Sequence, residues 1–226
     1  MTVAKLLGYN LPLFADLTPA DFDGVLIDIS EHSLDTGQVL FDREDTTLDL
    51  YFLLSGTLLG VYWTSHGREI VYARFPVNGY FGELAALDGV PRSLAVIAKS
   101  PSKVLRLKRS GFLQMYNEMP KIRERITSGM VAQIRLLTKM HMEMTTLSVA
   151  ERTIRYIHRL ASDHGVMELG GVIADAPTHA EIGASIGANR EMVSRTISKL
   201  SRQGIIKSSR QRIVILDPDA LRRAAM

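Results

Sequence analysis

The chain has no cysteine in its 226 residues. That excludes disulfides, thiolate nucleophiles and cysteine-ligated iron–sulfur clusters. It has no apolar run of about 18 residues, the length a membrane-spanning helix needs. Its first residues, MTVAKLLGYNLPLF, carry too little charge and too short an apolar stretch for a secretory leader. The histidines show no metal-ligand spacing, and no nucleophile–base pair or glycine-framed carboxylate pair stands out. These absences lead to the expectation of a soluble cytoplasmic protein with no membrane partner, no metal and no enzymatic activity. What charge there is lies unevenly. Residues 146–226 carry 12 Lys and Arg against 8 Asp and Glu, whereas residues 1–145 carry 15 against 16. A basic C-terminal third suits a nucleic-acid partner, although a solvated basic face has the same composition.

The hydrophobic pattern changes period along the chain. Thr18-Pro19-Ala20-Asp21 has the cap, the proline and the first-turn acid of a helix start. Short apolar runs follow at 39–41, 50–56, 57–63, 69–75, 93–98 and 103–108. Ser55-Gly56, Ser65-His66-Gly67, Pro76-Val77-Asn78-Gly79 and Ser100-Pro101-Ser102 punctuate them. Many short strands at regular spacing predict a sandwich, roll or barrel. After Pro120, Ile126, Met130, Gln133, Leu137, Met140, Met144 and Leu147 recur at steps of four and three. Such a narrow stripe predicts a seam between two copies of one helix; the alternative is a helix lying on its own domain. A boundary is expected near Thr145–Ser148, giving domains of 1–145 and 146–226. A helix over 149–162 and a glycine-rich loop from Gly165 to Gly171 come next.

Residues 178–202, THAEIGASIGANREMVSRTISKLSR, carry the most specific signal. Thr178 and Glu181 form a capping box, Gly187 supplies a turn, and Asn189 is a good cap for a second helix. Ile182 and Ile186 are expected to face inward from the first helix, and Met192, Val193, Ile197 and Leu200 from the second. Arg190, Glu191 and Arg195 are left on the outer face. Arg can hold guanine O6 and N7 with both arms and Glu can accept from cytosine N4, so this is a helix equipped to read the major groove. Lys199, Arg202, Lys207, Arg210 and Arg212 can meet phosphates, which position a protein without specifying sequence. A hairpin from Gly204-Ile205-Ile206-Lys207 to Ile213-Val214-Ile215-Leu216 completes a winged helix.

A second constellation is Phe81-Gly82-Glu83-Leu84-Ala85-Ala86-Leu87 followed by Pro91-Arg92-Ser93. Gly82 permits close backbone approach where a short helix begins, Arg92 and Ser93 can hold an anion, and Glu83 can accept from sugar hydroxyls. A β-turn with a Glu83–Arg92 surface ion pair fits the spacing equally well.

With these residues in view, the chain resembles the Crp/Fnr family of bacterial transcription regulators along nearly its whole length. The closest resemblance is to the cyclic-nucleotide-responsive branch. The resemblance implies an α+β architecture: an N-terminal β-roll (a cyclic-nucleotide-binding domain) with a long dimerisation helix, and a C-terminal winged helix-turn-helix domain. It implies that Arg92 and Ser93 hold a cyclic phosphate and Glu83 a ribose hydroxyl, with Gly82 and Leu84 in the same cassette. It implies that Arg190 and Arg195 contact guanines and Glu191 a cytosine in half-sites like TGTGA, with Thr178 and Asn189 at phosphate-contact positions. Where that branch carries a Thr-Ser pair on the dimer helix, this chain has Leu137-Thr138. Leu137 cannot hydrogen-bond an adenine amino group, so cAMP and cGMP both stay open as effector. The implied partners are double-stranded DNA, a second copy of the chain and RNA polymerase. The cysteine-dependent oxygen sensors are excluded. A haem sensor would need an axial histidine near the cassette, and neither His66 nor His141 is well placed, so no haem is expected. A regulator with a vestigial pocket and a cyclic-nucleotide-binding regulatory subunit of another protein are the competing readings.

Overall fold

The computed structural model describes residues 3–25, 28–64 and 69–226. The expected Ser65-His66-Gly67 turn, and His66 with it, lies outside the described residues. The chain forms two compact units, residues 1–133 and residues 134–226.

The first unit begins with α1 (Val3–Leu7). At the expected helix start a capping box forms, with the Thr18 N–H donating to Asp21 Oδ2 at 2.6 Å. It starts only a 3-10 turn, Pro19–Phe22, rather than a longer helix, because Asp23 is already extended and Gly24 turns to φ +80°. The β elements are β1 (Ile29–Leu34), β2 (Val39–Phe41), β3 (Leu50–Ser55), β4 (Leu58–Trp63), β5 (Glu69–Arg74) and β6 (Tyr80–Phe81). Next come the short helix α2 (Glu83–Asp88), then β7 (Ala95–Ala98) and β8 (Ser102–Leu107). They make two four-stranded antiparallel sheets, ordered β1-β8-β3-β6 and β2-β7-β4-β5.

Strand β3 explains why the apolar runs read as continuous. Tyr51 and Leu53 join Phe41, Leu58, Phe81 and Val96 in one cluster. Leu50 and Phe52 join Leu6, Phe14 and the helices of this unit in another. A strand buried on both faces loses the polar alternation of a half-exposed one. Strand β1 shows the opposite case. It pairs with β8 over six residues, but only Ile29 and Leu34 at its ends are buried. Its sequence, ISEHSL, is that of a polar edge strand and carries no apolar signal.

Helix α3 (Arg109–Glu118) leads to α4 (Pro120–Thr146). The first part of the expected seam is used within the chain: Ile126, with Ile122, is fully buried in the first unit's core, and Met130 packs on it. Beyond it the exposed apolar side chains are Val131, Ile134, Leu136, Leu137, Met142 and Met144. The free stripe is therefore broader than the sequence period indicates and begins about one turn later.

The second unit comprises the C-terminal turns of α4 and α5 (Val149–Asp163), β9 (Val172–Ala174), α6 (His179–Ile186), α7 (Arg190–Arg202), β10 (Ile206–Ser209), β11 (Arg212–Ile215) and α8 (Pro218–Ala224). The antiparallel sheet β10-β11-β9 forms the wing, and the β10–β11 turn places Gln211 at φ +52°. Ile157, Ile173, Ile182, Ile186, Val193, Ile197, Ile206, Ile215 and Leu221 share one core. The end of α4 belongs to this unit for a polar reason. Glu143 is buried, and Arg159 Nη1 donates to both its oxygens at 3.0 Å. Arg152 caps the helix by donating to the carbonyls of Met144 (3.2 Å) and Leu147 (2.8 Å). The compact units thus divide within α4, whereas the sequence suggested a boundary at the helix end.

Candidate functional site

The cassette is built around a glycine that Arg92 approaches closely. Gly82 precedes α2 with φ +86°, the left-handed region that side chains disfavour. A Cβ there would lie 2.5 Å from Arg92 Nη1 and 3.0 Å from the Asp49 carbonyl oxygen. The space a side chain would take belongs to the arginine.

Arg92 is only 3% exposed. Its Nη2 donates to the Asp49 carbonyl at 2.7 Å and its Nη1 to the Gly82 carbonyl at 3.1 Å. The guanidinium carbon stands 4.2 Å from the Phe41 ring centroid and 5.6 Å from that of Tyr51. Its Nε–H is buried and has no hydrogen-bond partner. Burial pushes the arginine's pKa down, opposed by Tyr51 and nearby carboxylates. A buried cation that keeps one donor unpaired is costly unless an anion completes it. The residues present therefore fit a phosphate. Arg92 is not the surface ion-pair partner that the spacing also allowed.

Glu83, half-buried at the first position of α2, has its carboxyl pKa raised by burial, with its own backbone N–H and Arg92 pulling the other way. Leu84 and Ser93 are exposed. Asp49, which no motif in the sequence marks, anchors the region. Its Oδ2 accepts from Arg106 Nε at 2.7 Å and its Oδ1 from the Arg109 N–H at 2.9 Å, while Arg109 Nε donates to the Ala86 carbonyl in α2 at 2.8 Å. Arg92, Asp49 and α2 thus form one bonded assembly. Gly129 adds a close approach that the seam pattern did not signal: a Cβ there would lie 2.4 Å from the hydroxyl of Tyr80, which leads into the cassette. Of the two remaining effector candidates, Leu137 is exposed and the Thr138 hydroxyl donates to the Ile134 carbonyl at 2.9 Å. His141 is exposed. Among the described residues no group of three or more His, Asp or Glu is placed to hold a metal ion, and no helix is long and apolar enough to cross a membrane.

The second unit presents the expected helix pair. Thr178 Oγ1 accepts from the Glu181 N–H at 3.2 Å, and Glu181 Oε2 from the Thr178 N–H at 2.7 Å. Gly187 ends α6 at φ +63°. Asn189 Oδ1 accepts from the Met192 N–H at 2.9 Å and starts α7. Gly183, a residue the sequence reading passed over, lets the turn close: a Cβ there would be 2.7 Å from the Ala188 carbonyl oxygen. Arg190, Glu191, Arg195 and Lys199 are all exposed, and Arg195 pairs with Glu191 at 3.9 Å. One position is corrected. Met192 is 43% exposed, and Thr196 takes the fourth inward place. The Thr196 hydroxyl satisfies itself by donating to the Met192 carbonyl at 3.0 Å, which lets a polar residue sit in the core.

A cassette built for an anion and a capped, outward-facing helix pair with a wing define a ligand-binding DNA-binding regulator. Comparison with known proteins agrees. Residues 31–119 match the model of the cyclic nucleotide-binding domain, and residues 151–224 that of the Crp-like helix-turn-helix domain. The chain belongs to the Crp/Fnr family of transcription regulators. It is 25% identical to the cyclic AMP receptor protein of Thermus thermophilus over 87% of this chain and 88% of that protein. Among solved structures it is similar to FixK2 from Bradyrhizobium japonicum (TM-score 0.74, 20% identity, 88% of this chain and 98% of that one). It is also similar to the c-di-GMP responsive global regulator CLP of Xanthomonas campestris (TM-score 0.64, 20% identity, 83% and 94%). Those two likenesses establish the fold.

Proposed function

We propose that the chain is a cyclic-nucleotide-responsive regulator that binds palindromic TGTGA-like DNA as a homodimer in the cytoplasm. The observation that carries the effector half is the buried Arg92 with its unpaired Nε–H, cradled against Gly82 beside Glu83. A cyclic phosphate would complete Arg92 with help from the Ser93 hydroxyl, and Glu83 would accept from the ribose, with Gly82 and Leu84 framing the cassette. Leu137 and Thr138 stand where the resemblance puts base contacts. Leu137 supplies no hydrogen bond, so the effector is either cAMP or cGMP. The cyclic AMP receptor protein among the relatives favours a cyclic mononucleotide.

On the DNA side, Arg190, Glu191 and Arg195 read base edges, while Thr178, Asn189 and Lys199 hold phosphates. Two copies joined along the exposed stripe of α4 would set two recognition helices about 34 Å apart, one turn of duplex. The nucleotide stabilises the arrangement that fits DNA, so DNA must tighten nucleotide binding by the same factor. RNA polymerase is the expected protein partner of such a complex.

A second reading has support of its own. Both terminal nitrogens of Arg92 already donate to main-chain carbonyls, as they would in a pocket that had lost its ligand. Anisotropy of a labelled TGTGA–TCACA duplex, titrated with protein alone and with cAMP or cGMP, separates the two. Tight binding only with a nucleotide is expected, and Arg92→Ala should remove that dependence. Equal binding in all three titrations would leave a nucleotide-independent regulator.

A further inference from the structure

Between the two helices of the DNA-reading pair lies a contact that neither the base readout nor the caps require. His179, the first residue of α6, places Nδ1 2.7 Å from Ser194 Oγ on α7. Ser194 directly precedes Arg195 and lies one helical turn beyond Arg190. The imidazole therefore ties the helix that Thr178 caps to the helix that carries the base-reading side chains.

We propose that His179 is a further DNA-contact residue: its Nε2–H donates to a backbone phosphate, the ring takes up a proton as it does so, and Ser194 holds it in place. In free protein, burial and the Arg190 guanidinium favour the neutral ring. With its proton on Nε2, Nδ1 accepts from the Ser194 O–H. A phosphate at Nε2 favours the imidazolium. The proton comes from solvent and adds to Nδ1, and Ser194 Oγ changes from donor to acceptor. No covalent bond is made or broken.

The charged surroundings support a neutral resting state. Burial and then the Arg190 guanidinium lower the pKa of His179 below its ordinary value of 6.5. Glu181 on the same helix directs Oε2 to the Thr178 N–H. Helix α5 also packs against α6, and four of its charged side chains have partners elsewhere. Arg152 goes to the Gly187 carbonyl at the far end of α6, Glu151 to Ser148, and Arg155 and Arg159 to Glu143. A phosphate brought in by DNA is the missing anion, and it raises the pKa that Arg190 lowers. Proton uptake then makes DNA affinity fall as pH rises between the free and bound values, by up to about tenfold per pH unit for each protomer.

The test is DNA affinity between roughly pH 5.5 and 8, the range in which histidine changes charge. It uses the full chain, the TGTGA–TCACA duplex and a scrambled duplex, each with cAMP or cGMP and without. Because the contact is to phosphate, affinity should fall with pH on both duplexes. His179→Gln should flatten both curves and weaken binding mainly at the acid end. His158→Gln, which removes another histidine with a depressed pKa, should leave the slope in place. The His179 ring signal in NMR should titrate below pH 6.5 in free protein and above it in the complex. This second measurement does not depend on whether the variants fold. Affinity independent of pH in the wild-type chain, or a slope that survives His179→Gln, overturns the proposal alone. No binding to either duplex at any pH overturns the DNA reading along with it.

Discussion

The effector cassette and the recognition helix both rely on arginine, and they keep it in opposite states. Arg92 is almost fully buried, stacked against Phe41, with both terminal nitrogens occupied. Arg190 and Arg195 stand in solvent on a helix whose start is fixed by Asn189. One arginine is stored inside the fold and the others are displayed on it. A stored cation meets its ligand with the donor left over from its internal bonds, so the surrounding structure decides which nitrogen an anion can reach. A displayed cation loses only water and side-chain freedom. In the proposed function, effector binding would act on the interior of its unit, whereas DNA contact would use side chains already exposed.

Arg92→Ala attacks the stored side of this comparison and should have the largest effect. It removes the anion's partner and the Arg92 bond to the Asp49 carbonyl, at a cost of about 1–3 kcal/mol, while the Gly82 carbonyl keeps the Ala86 N–H at 3.2 Å. Denaturant unfolding should show that loss together with the loss of nucleotide response. An unchanged midpoint would mean that the buried bonds hold nothing in place.

Arg195→Ala tests the displayed side. Its ion pair with Glu191 is more than four-fifths exposed at both ends, so stability should be unaffected. Affinity for the TGTGA duplex should drop by about 1–3 kcal/mol with relaxed preference at one base pair. An equal loss on scrambled DNA would reduce Arg195 to a phosphate contact.

Glu83→Gln sharpens the contrast, because stability and function should move in opposite directions. Burial raises the Glu83 carboxyl above its ordinary 4.5. Its contribution to stability is complete below that value and is lost as pH rises through the raised one. At neutral pH the amide removes this penalty, so Tm should rise while nucleotide affinity falls. A lower Tm at neutral pH would show that the carboxylate is stabilised by contacts made in its charged form.

How much of this was legible in the sequence follows the same division. The helix pair could be read because its devices are local: Thr178 with Glu181, Gly187, and Asn189 with Met192 all lie within four residues of their partners. The cassette was visible as a motif, but its geometry was not. Asp49 reaches Arg92 across 43 positions and Arg106 across 57, and no spacing rule connects them. The α4 stripe was legible as helix but not as interface. A heptad pattern reads the same whether its residues face a second copy or, like Ile126, their own core. Edge strand β1 escaped because its middle is polar.

Met192 is the smallest of these tests and bears on why one inward position was misread. Met192 and Val193 are adjacent and both apolar, and composition alone would bury both. The face of a helix is narrower than that, and with Val193, Ile197 and Leu200 buried, the fourth place fell to Thr196. Thr196 can occupy it because its hydroxyl bonds back along the helix. Ile197→Ala should therefore cost about 2–5 kcal/mol and Met192→Ala no more than about 0.5 kcal/mol, both read from urea midpoints. If DNA affinity falls with Met192→Ala while stability holds, the exposed thioether lies in the groove beside Arg195, and a thymine methyl is the base group its apolar surface fits. If stability falls instead, Met192 is covered in the assembled protein by something other than its own core.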